Sequence, residues 1–130
     1  MRRIAYLDAS AIVKLVVTEA ESLAFLRWFT EAEYAATSVI GVLETIRATA
    51  RHQHDPAHRA VVLGQLETLD LTREVVDRAS ALEPPGLRTL DAIHLATALV
   101  LLPELDAFVT YDDRLADAAR AMGLPVVRPA

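Results

Sequence analysis

The chain contains no cysteine, so no disulfide framework, thiolate zinc site or cysteine nucleophile can form. No apolar run approaches the roughly 20 residues that a membrane-spanning helix needs. Met1-Arg2-Arg3 followed by Ile4-Ala5-Tyr6-Leu7 looks like the start of a secretory leader. Asp8 interrupts that run and no cleavage site follows, so a cytoplasmic protein is expected. Basic charge is scarce: 13 Lys+Arg face 18 Asp+Glu, a formal net charge of −5. Grip on nucleic acid through a basic arm alone is thereby excluded. Repeats and low-complexity tracts are absent as well.

What remains is enough for one domain over residues 1–130, with 53% hydrophobic residues. A mean hydropathy of +0.28 separates it from disordered chains. Residues 4–7 read as a buried strand, and Ile12, Leu15 and Val16 carry helical spacing over 9–18. A second helix is expected over 20–33 and a second strand over 34–37. Ser38 then caps a helix to about residue 52. His54-Asp55-Pro56 breaks it, and Pro56 opens a helix over 57–66. A third strand is expected at 69–72 and a helix at 73–82, ahead of the loop Glu83-Pro84-Pro85-Gly86. Thr89 caps an apolar helix over 90–101. A strand at 107–110, a helix at 113–122 closed by Gly123, and a strand at 126–127 complete the chain. Short apolar strands alternating with helices predict an α/β fold with a parallel sheet covered on both faces.

Most acids fall on polar helix faces, but Asp8, Glu44, Asp91 and Asp112 do not. Asp8 follows the first strand, and Asp112 follows the strand ending at Thr110. Asp91 lies in the first turn of the most apolar helix, and Glu44 sits among apolar residues. Residues after parallel strands converge at the carboxyl edge of the sheet, where ligands bind. Carboxylates gathered there repel one another and are tolerable when divalent cations neutralise them. Oxygen-only ligation suits Mg²⁺ or Mn²⁺, and the matching chemistry is phosphodiester hydrolysis. Singly, each acid also has a plain structural reading. Asp91 favours a helix N-terminus by about 0.3–1 kcal/mol, and Asp112 caps the helix after it.

Tyr6-Leu7-Asp8-Ala9-Ser10-Ala11, Leu43-Glu44, Leu90-Asp91-Ala92-Ile93-His94-Leu95-Ala96 and Val109-Thr110-Tyr111-Asp112 stand in the order and spacing of a PIN domain. More narrowly, nearly the whole chain resembles the toxins of bacterial VapBC toxin–antitoxin pairs. That resemblance implies a three-layer α/β/α sandwich with a central, mainly parallel five-stranded sheet. It also implies an endoribonuclease dependent on Mg²⁺ or Mn²⁺, homodimeric and restrained by a VapB-type antitoxin. By position, Asp8, Glu44, Asp91 and Asp112 match the family's catalytic and metal-binding acids. Ser10 and Thr110 match supporting hydroxyl residues, and Asp113 is an alternative to Asp112.

Other candidates rank lower. His52, His54 and His58 fit a solvated loop better than a metal site, although with Arg47, Arg51 and Arg59 they offer a local basic patch for RNA phosphates. His94, three residues after Asp91, suits packing or hydrogen bonding. Lys14 reads as a surface residue, and Arg88 and Arg114 as charges that screen the acids or contact phosphate. Trp28, Phe25 and Phe29 read as core. A dehalogenase-type phosphatase needs a second Asp where Ser10 stands, and a receiver domain needs a Lys after a late strand, whereas Lys14 is the single lysine. A non-catalytic acidic module that binds a basic peptide is the third alternative.

Overall fold

Ile4-Ala5-Tyr6-Leu7 is buried on both faces and forms β1 (Ile4–Leu7), the middle strand of the sheet. The computed structural model describes residues 3–130; Met1 and Arg2, the head of the leader-like run, lie outside the described residues. Among the described residues five strands form one sheet in the order β3-β2-β1-β4-β5. The others are β2 (Tyr34–Ser38), β3 (Glu67–Leu69), β4 (Leu105–Val109) and β5 (Val126–Val127), and every pairing is parallel. Seven helices accompany them: α1 (Ala9–Val16), α2 (Ser22–Glu31), α3 (Val39–Thr49), α4 (Pro56–Gly64), α5 (Arg73–Ala81), α6 (Thr89–Val100) and α7 (Asp113–Ala121).

Alternation along the strands divides the core. Ala5 and Leu7 of β1, with Ala107 and Val109 of β4, pack against α1, Phe25 of α2 and Val62 of α4. Tyr6 and Phe108 point the other way, their rings stacked 5.5 Å apart, against Leu95 of α6 and Leu115 of α7. Phe25 also contacts the Trp28 and Phe29 rings at 6.0 and 6.1 Å, so the aromatic triplet serves the core as its spacing indicates.

The expected strands and helices are present, with shifted ends. The third strand is β3 at Glu67–Leu69, not residues 69–72. It is an edge strand pairing only with β2, so its burial leaves no continuous apolar run to read. Helix α6 begins at Thr89 with Arg88 at the N-cap and no side-chain cap bond, which corrects the expectation that Thr89 caps it. Gly123 ends the α7 segment at φ +78°, a left-handed conformation that favours glycine. No helix among the described residues is long and apolar enough to cross a membrane.

The strand order positions the site. From β1 the chain builds outward through β2 and β3, then returns to place β4 on the opposite side of β1. The connections leaving β1 and β4 therefore diverge, and the crevice at their carboxyl ends is the switch point where such sheets bind ligands. Asp8 follows β1 and Asp112 follows β4, so they flank this crevice.

Candidate active site

Asp8 is 4% exposed, and its carboxylate is held on three sides. Oδ1 accepts from Ser10 Oγ at 2.7 Å and from the Ala11 amide at 3.0 Å, the second bond capping α1. Oδ2 accepts from Thr110 Oγ1 at 2.6 Å. Both hydroxyls are aimed by the loop after β4. The Tyr111 amide donates to Ser10 Oγ at 2.8 Å, and the Asp112 amide donates to Thr110 Oγ1 at 3.1 Å. With those lone pairs taken, each hydroxyl turns its own proton toward Asp8. Ser10 and Thr110 thus tie the end of β1 to the turn that carries Asp112. Burial nonetheless outweighs these bonds and pushes the Asp8 carboxyl above its ordinary value.

Asp112 caps α7, its Oδ1 accepting from the Arg114 and Leu115 amides at 2.9 and 3.1 Å. Asp91 lies in the first turn of α6, and its side chain has no hydrogen-bond partner among the described residues. Burial raises its pKa first, then the charge of Asp112; His94 and Arg88 oppose the rise and Glu44 adds to it. Asp91 therefore lies within electrostatic reach of both Asp112 and Glu44. On α3, Glu44 Oε1 accepts from His94 Nε2 at 2.6 Å. His94 is 2% exposed, and its Nδ1 lies 2.6 Å from the Tyr6 hydroxyl. Burial keeps that phenol protonated far into alkaline solution.

Asp113 points elsewhere. Its side chain is 84% exposed and accepts from Arg128 Nη1 at 2.7 Å. Arg128 Nη2 also donates to the Tyr111 carbonyl at 2.8 Å, and the Tyr111 hydroxyl donates to the Pro129 carbonyl at 2.6 Å. Lys14 is not a surface residue. It is 9% exposed, its Nζ 2.6 Å from Glu21 and 4.5 Å from the centre of the Tyr111 ring. Its aliphatic stem is covered while its head keeps a carboxylate partner. Burial and the Glu21 charge push the Tyr111 phenol up to about 12 against the pull of Arg128.

The basic patch divides. Arg47 and Arg51 line an open groove of ≈ 900 Å³ beside Ser10 and Glu44. Arg59 instead donates to Thr49 Oγ1 at 3.2 Å near the end of α3 and to His54 Nε2 at 3.1 Å. His58 donates to the Leu15 carbonyl at 2.8 Å. Tyr6 and Gly41 carried no assigned role in the sequence. A tyrosine inside a buried strand was the available signal, because its hydroxyl needs a partner.

Among the described residues, no three carboxylate, imidazole or thiol side chains stand close enough to hold an ion as they are placed. The donor chemistry nevertheless fits a hard divalent cation. The acids offer oxygen alone, and no Lys or Arg among the described residues forms an ion pair with Asp8, Asp91 or Asp112. The desolvation of Asp8, and the desolvation and like-charge repulsion at Asp91, are thus left for a cation to offset.

An acidic crevice at the switch point of a five-stranded parallel sheet defines the class. A family model for the PIN domain matches residues 5–121, and the chain belongs to that family. Its relatives include "Ribonuclease VapC47" of Mycobacterium tuberculosis, 42% identical over 130 residues, covering 95% of this chain and 96% of the relative. "Ribonuclease VapC46" of the same species is 43% identical over 126 residues, with the same shares covered. Among solved structures, a toxin–antitoxin complex from Klebsiella pneumoniae has the same fold at TM-score 0.74 and 22% identity, covering 97% of this chain and 98% of that one. M. tuberculosis VapC20, a Sarcin-Ricin loop cleaving toxin, matches at TM-score 0.73 and 16% identity over 96% and 99% of the two chains.

Proposed function

We propose that the chain is the toxin of a VapBC-type toxin–antitoxin pair, an endoribonuclease that hydrolyses RNA phosphodiester bonds at the acidic crevice. What carries this reading is one conjunction. Asp8 and Asp112 flank the switch point, Asp91 feels the charges of Asp112 and Glu44, and 95% of the chain aligns at 42% identity with a protein named a VapC ribonuclease.

Asp8, Glu44, Asp91 and Asp112 are the residues we assign to Mg²⁺ or Mn²⁺. When bound, a divalent cation supplies positive charge for the phosphate and a water acidic enough to attack at neutral pH. The protein's own groups supply the rest. Ser10 and Thr110 hold the Asp8 carboxyl oriented through hydrogen bonds. Backbone amides fix Asp112 at the start of α7, so its position is set by the helix. Arg47 and Arg51 lie along the groove leading from Glu44, where they meet the phosphates of a single strand. This division of labour suits a protein of net charge −5: a local cation and two arginines replace a basic surface.

We assign one PIN domain to residues 1–130, a cytoplasmic location, a homodimer, and a VapB-type antitoxin as partner. The antitoxin is supported by neighbours such as the toxin–antitoxin complex from Klebsiella pneumoniae. The test is cleavage of end-labelled RNA by the purified protein. Cleavage is expected with Mn²⁺ or Mg²⁺, and neither in EDTA nor with Asp91→Asn. Undiminished cleavage by Asp91→Asn, or in EDTA, refutes the assignment.

A further inference from the structure

Glu44 differs from the other acids in how it is held. Asp8 and Asp112 are short side chains fixed by backbone amides, whereas Glu44 is longer, projects from the middle of α3, and takes its hydrogen bond from one imidazole. Ordering a glutamate on its own sacrifices rotamer freedom. Here that ordering is built into the core. His94 is engaged at both ring nitrogens, 2.6 Å from Tyr6 and 2.6 Å from Glu44, and so links β1, α6 and α3 in one chain of bonds.

One end of that chain has a fixed direction. The Glu44 carboxylate is an acceptor, so His94 Nε2 donates. The Tyr6 hydroxyl, able to donate or accept, meets Nδ1 at 2.6 Å and holds the ring's orientation at the other end. At 2% exposure, with both nitrogens committed, the ring has no route to a substrate atom. Acid–base chemistry is therefore not its task. Glu44 Oε1 is occupied, while Oε2 makes no hydrogen bond among the described residues and Glu44 borders the groove.

Gly41 belongs to the same arrangement. A Cβ there would sit 2.1 Å from Thr37 Oγ1 and 3.4 Å from His94 Cε1. Glycine lets α3 lie close enough for Glu44, one turn further along, to reach the imidazole. The close approach and the two-ended imidazole are independent features serving one bond.

We propose that His94, aimed by Tyr6, is a positioning residue for the reaction: it pins Glu44 Oε1 and leaves Oε2 directed to the divalent cation. This rests on the reading that the acidic crevice binds such an ion. In metal ligation generally, an outer partner of this kind is worth 10–100-fold in affinity.

The test is Mn²⁺ titration of the purified full chain, followed by calorimetry and by the Mn²⁺ EPR signal, with no RNA present. Replacement His94→Leu is expected to weaken Mn²⁺ binding by about 10–100-fold. Combining it with Glu44→Gln is expected to add little to Glu44→Gln alone. In His94→Gln the amide N–H reaches toward Glu44 and is expected to restore most of the affinity. Imidazole ¹⁵N shifts are expected to show Nε2 protonated in the native protein, and the Nδ1 resonance is expected to move in Tyr6→Phe, which keeps the ring packing. Should His94→Leu destabilise the fold, the Tyr6→Phe spectrum and the His94→Gln titration decide the matter by themselves. Native Mn²⁺ affinity in His94→Leu, multiplicative effects in the double variant, or an unprotonated Nε2 would each overturn the positioning role. Absence of Mn²⁺ binding by the native protein would instead overturn the cation reading of the crevice, and this role with it.

Discussion

Replacing Gly41 with alanine sets two effects of opposite sign against each other. In an open helix the change is stabilising by about 0.5–1 kcal/mol, because glycine loses more backbone freedom on folding. At position 41 the new Cβ would meet Thr37 Oγ1 at 2.1 Å. Thr37 is fully buried, and that oxygen donates its proton to the Leu7 carbonyl at 2.7 Å. Turning Thr37 aside leaves a buried acceptor without its donor, a loss of about 1–3 kcal/mol. Thr37 Cβ itself stands at an ordinary contact distance of 3.4 Å from the new atom. Where Thr37 instead keeps its bond, the helix must ride outward, and overpacking of this sort costs about 1–3 kcal/mol. Either route outweighs the propensity gain and leaves a net loss of about 1–2 kcal/mol, with a melting temperature lower by roughly 5 °C. Urea and thermal unfolding in EDTA measure it. Gly64→Ala serves as the control, because nothing lies within 4 Å of a Cβ there, and it is expected to be neutral or slightly stabilising. A Gly41→Ala protein as stable as the native one would refute the close approach of α3 on which the Glu44 geometry depends.

Ser10→Ala removes a donor to Asp8 and strands the Tyr111 amide, so a loss of about 1–3 kcal/mol is expected by urea unfolding; an unchanged midpoint would show that the hydroxyl bridge contributes nothing. The carboxyls of Asp8 and Asp91 lie above their ordinary values, so the folded state binds their protons more tightly than the unfolded chain does. Their contribution to metal-free stability therefore falls as pH rises from near about 4 through the raised values, then levels off. The difference between native and Asp91→Asn stability, followed over pH in EDTA, should change in that window in favour of the variant, and a difference independent of pH would contradict it. Arg47→Ala with Arg51→Ala is expected to raise KM for RNA, leave kcat nearly intact, and lower the salt slope of binding by about 0.7 per lost phosphate contact. An unaltered slope would place the RNA elsewhere.

Much of the fold was legible because its signals are local. Four buried residues in a row marked β1, Ser38 was readable as the cap of α3, and Pro56 as the opening of α4. The four acids could be singled out because each sits where a solvated helix face would not put it. What escaped depends on partners far along the chain. Lys14 is covered because Tyr111, nearly a hundred residues later, folds over it. The direction of Asp113 is decided by Arg128, and the use of Tyr6 by His94. The edge strand β3 was displaced because a strand paired on one side has no two-sided apolar signature. The arginines near residue 50 looked alike in sequence, and only the ends of α3 and α4 separate the two that line the groove from the one that braces it.

Asp8 and Asp112 each cap a helix, so these positions answer to folding as well as to chemistry. A descendant of this chain that had abandoned cleavage would still be held to Asp, Asn, Ser or Thr at both, since losing such a cap costs about 0.5–2 kcal/mol. Acids retained there are therefore poor witnesses to activity. Asp91 caps nothing and its side chain holds no hydrogen bond, whereas Glu44 satisfies the buried His94, so drift at Asp91 is where the extinction of the enzyme would first become visible.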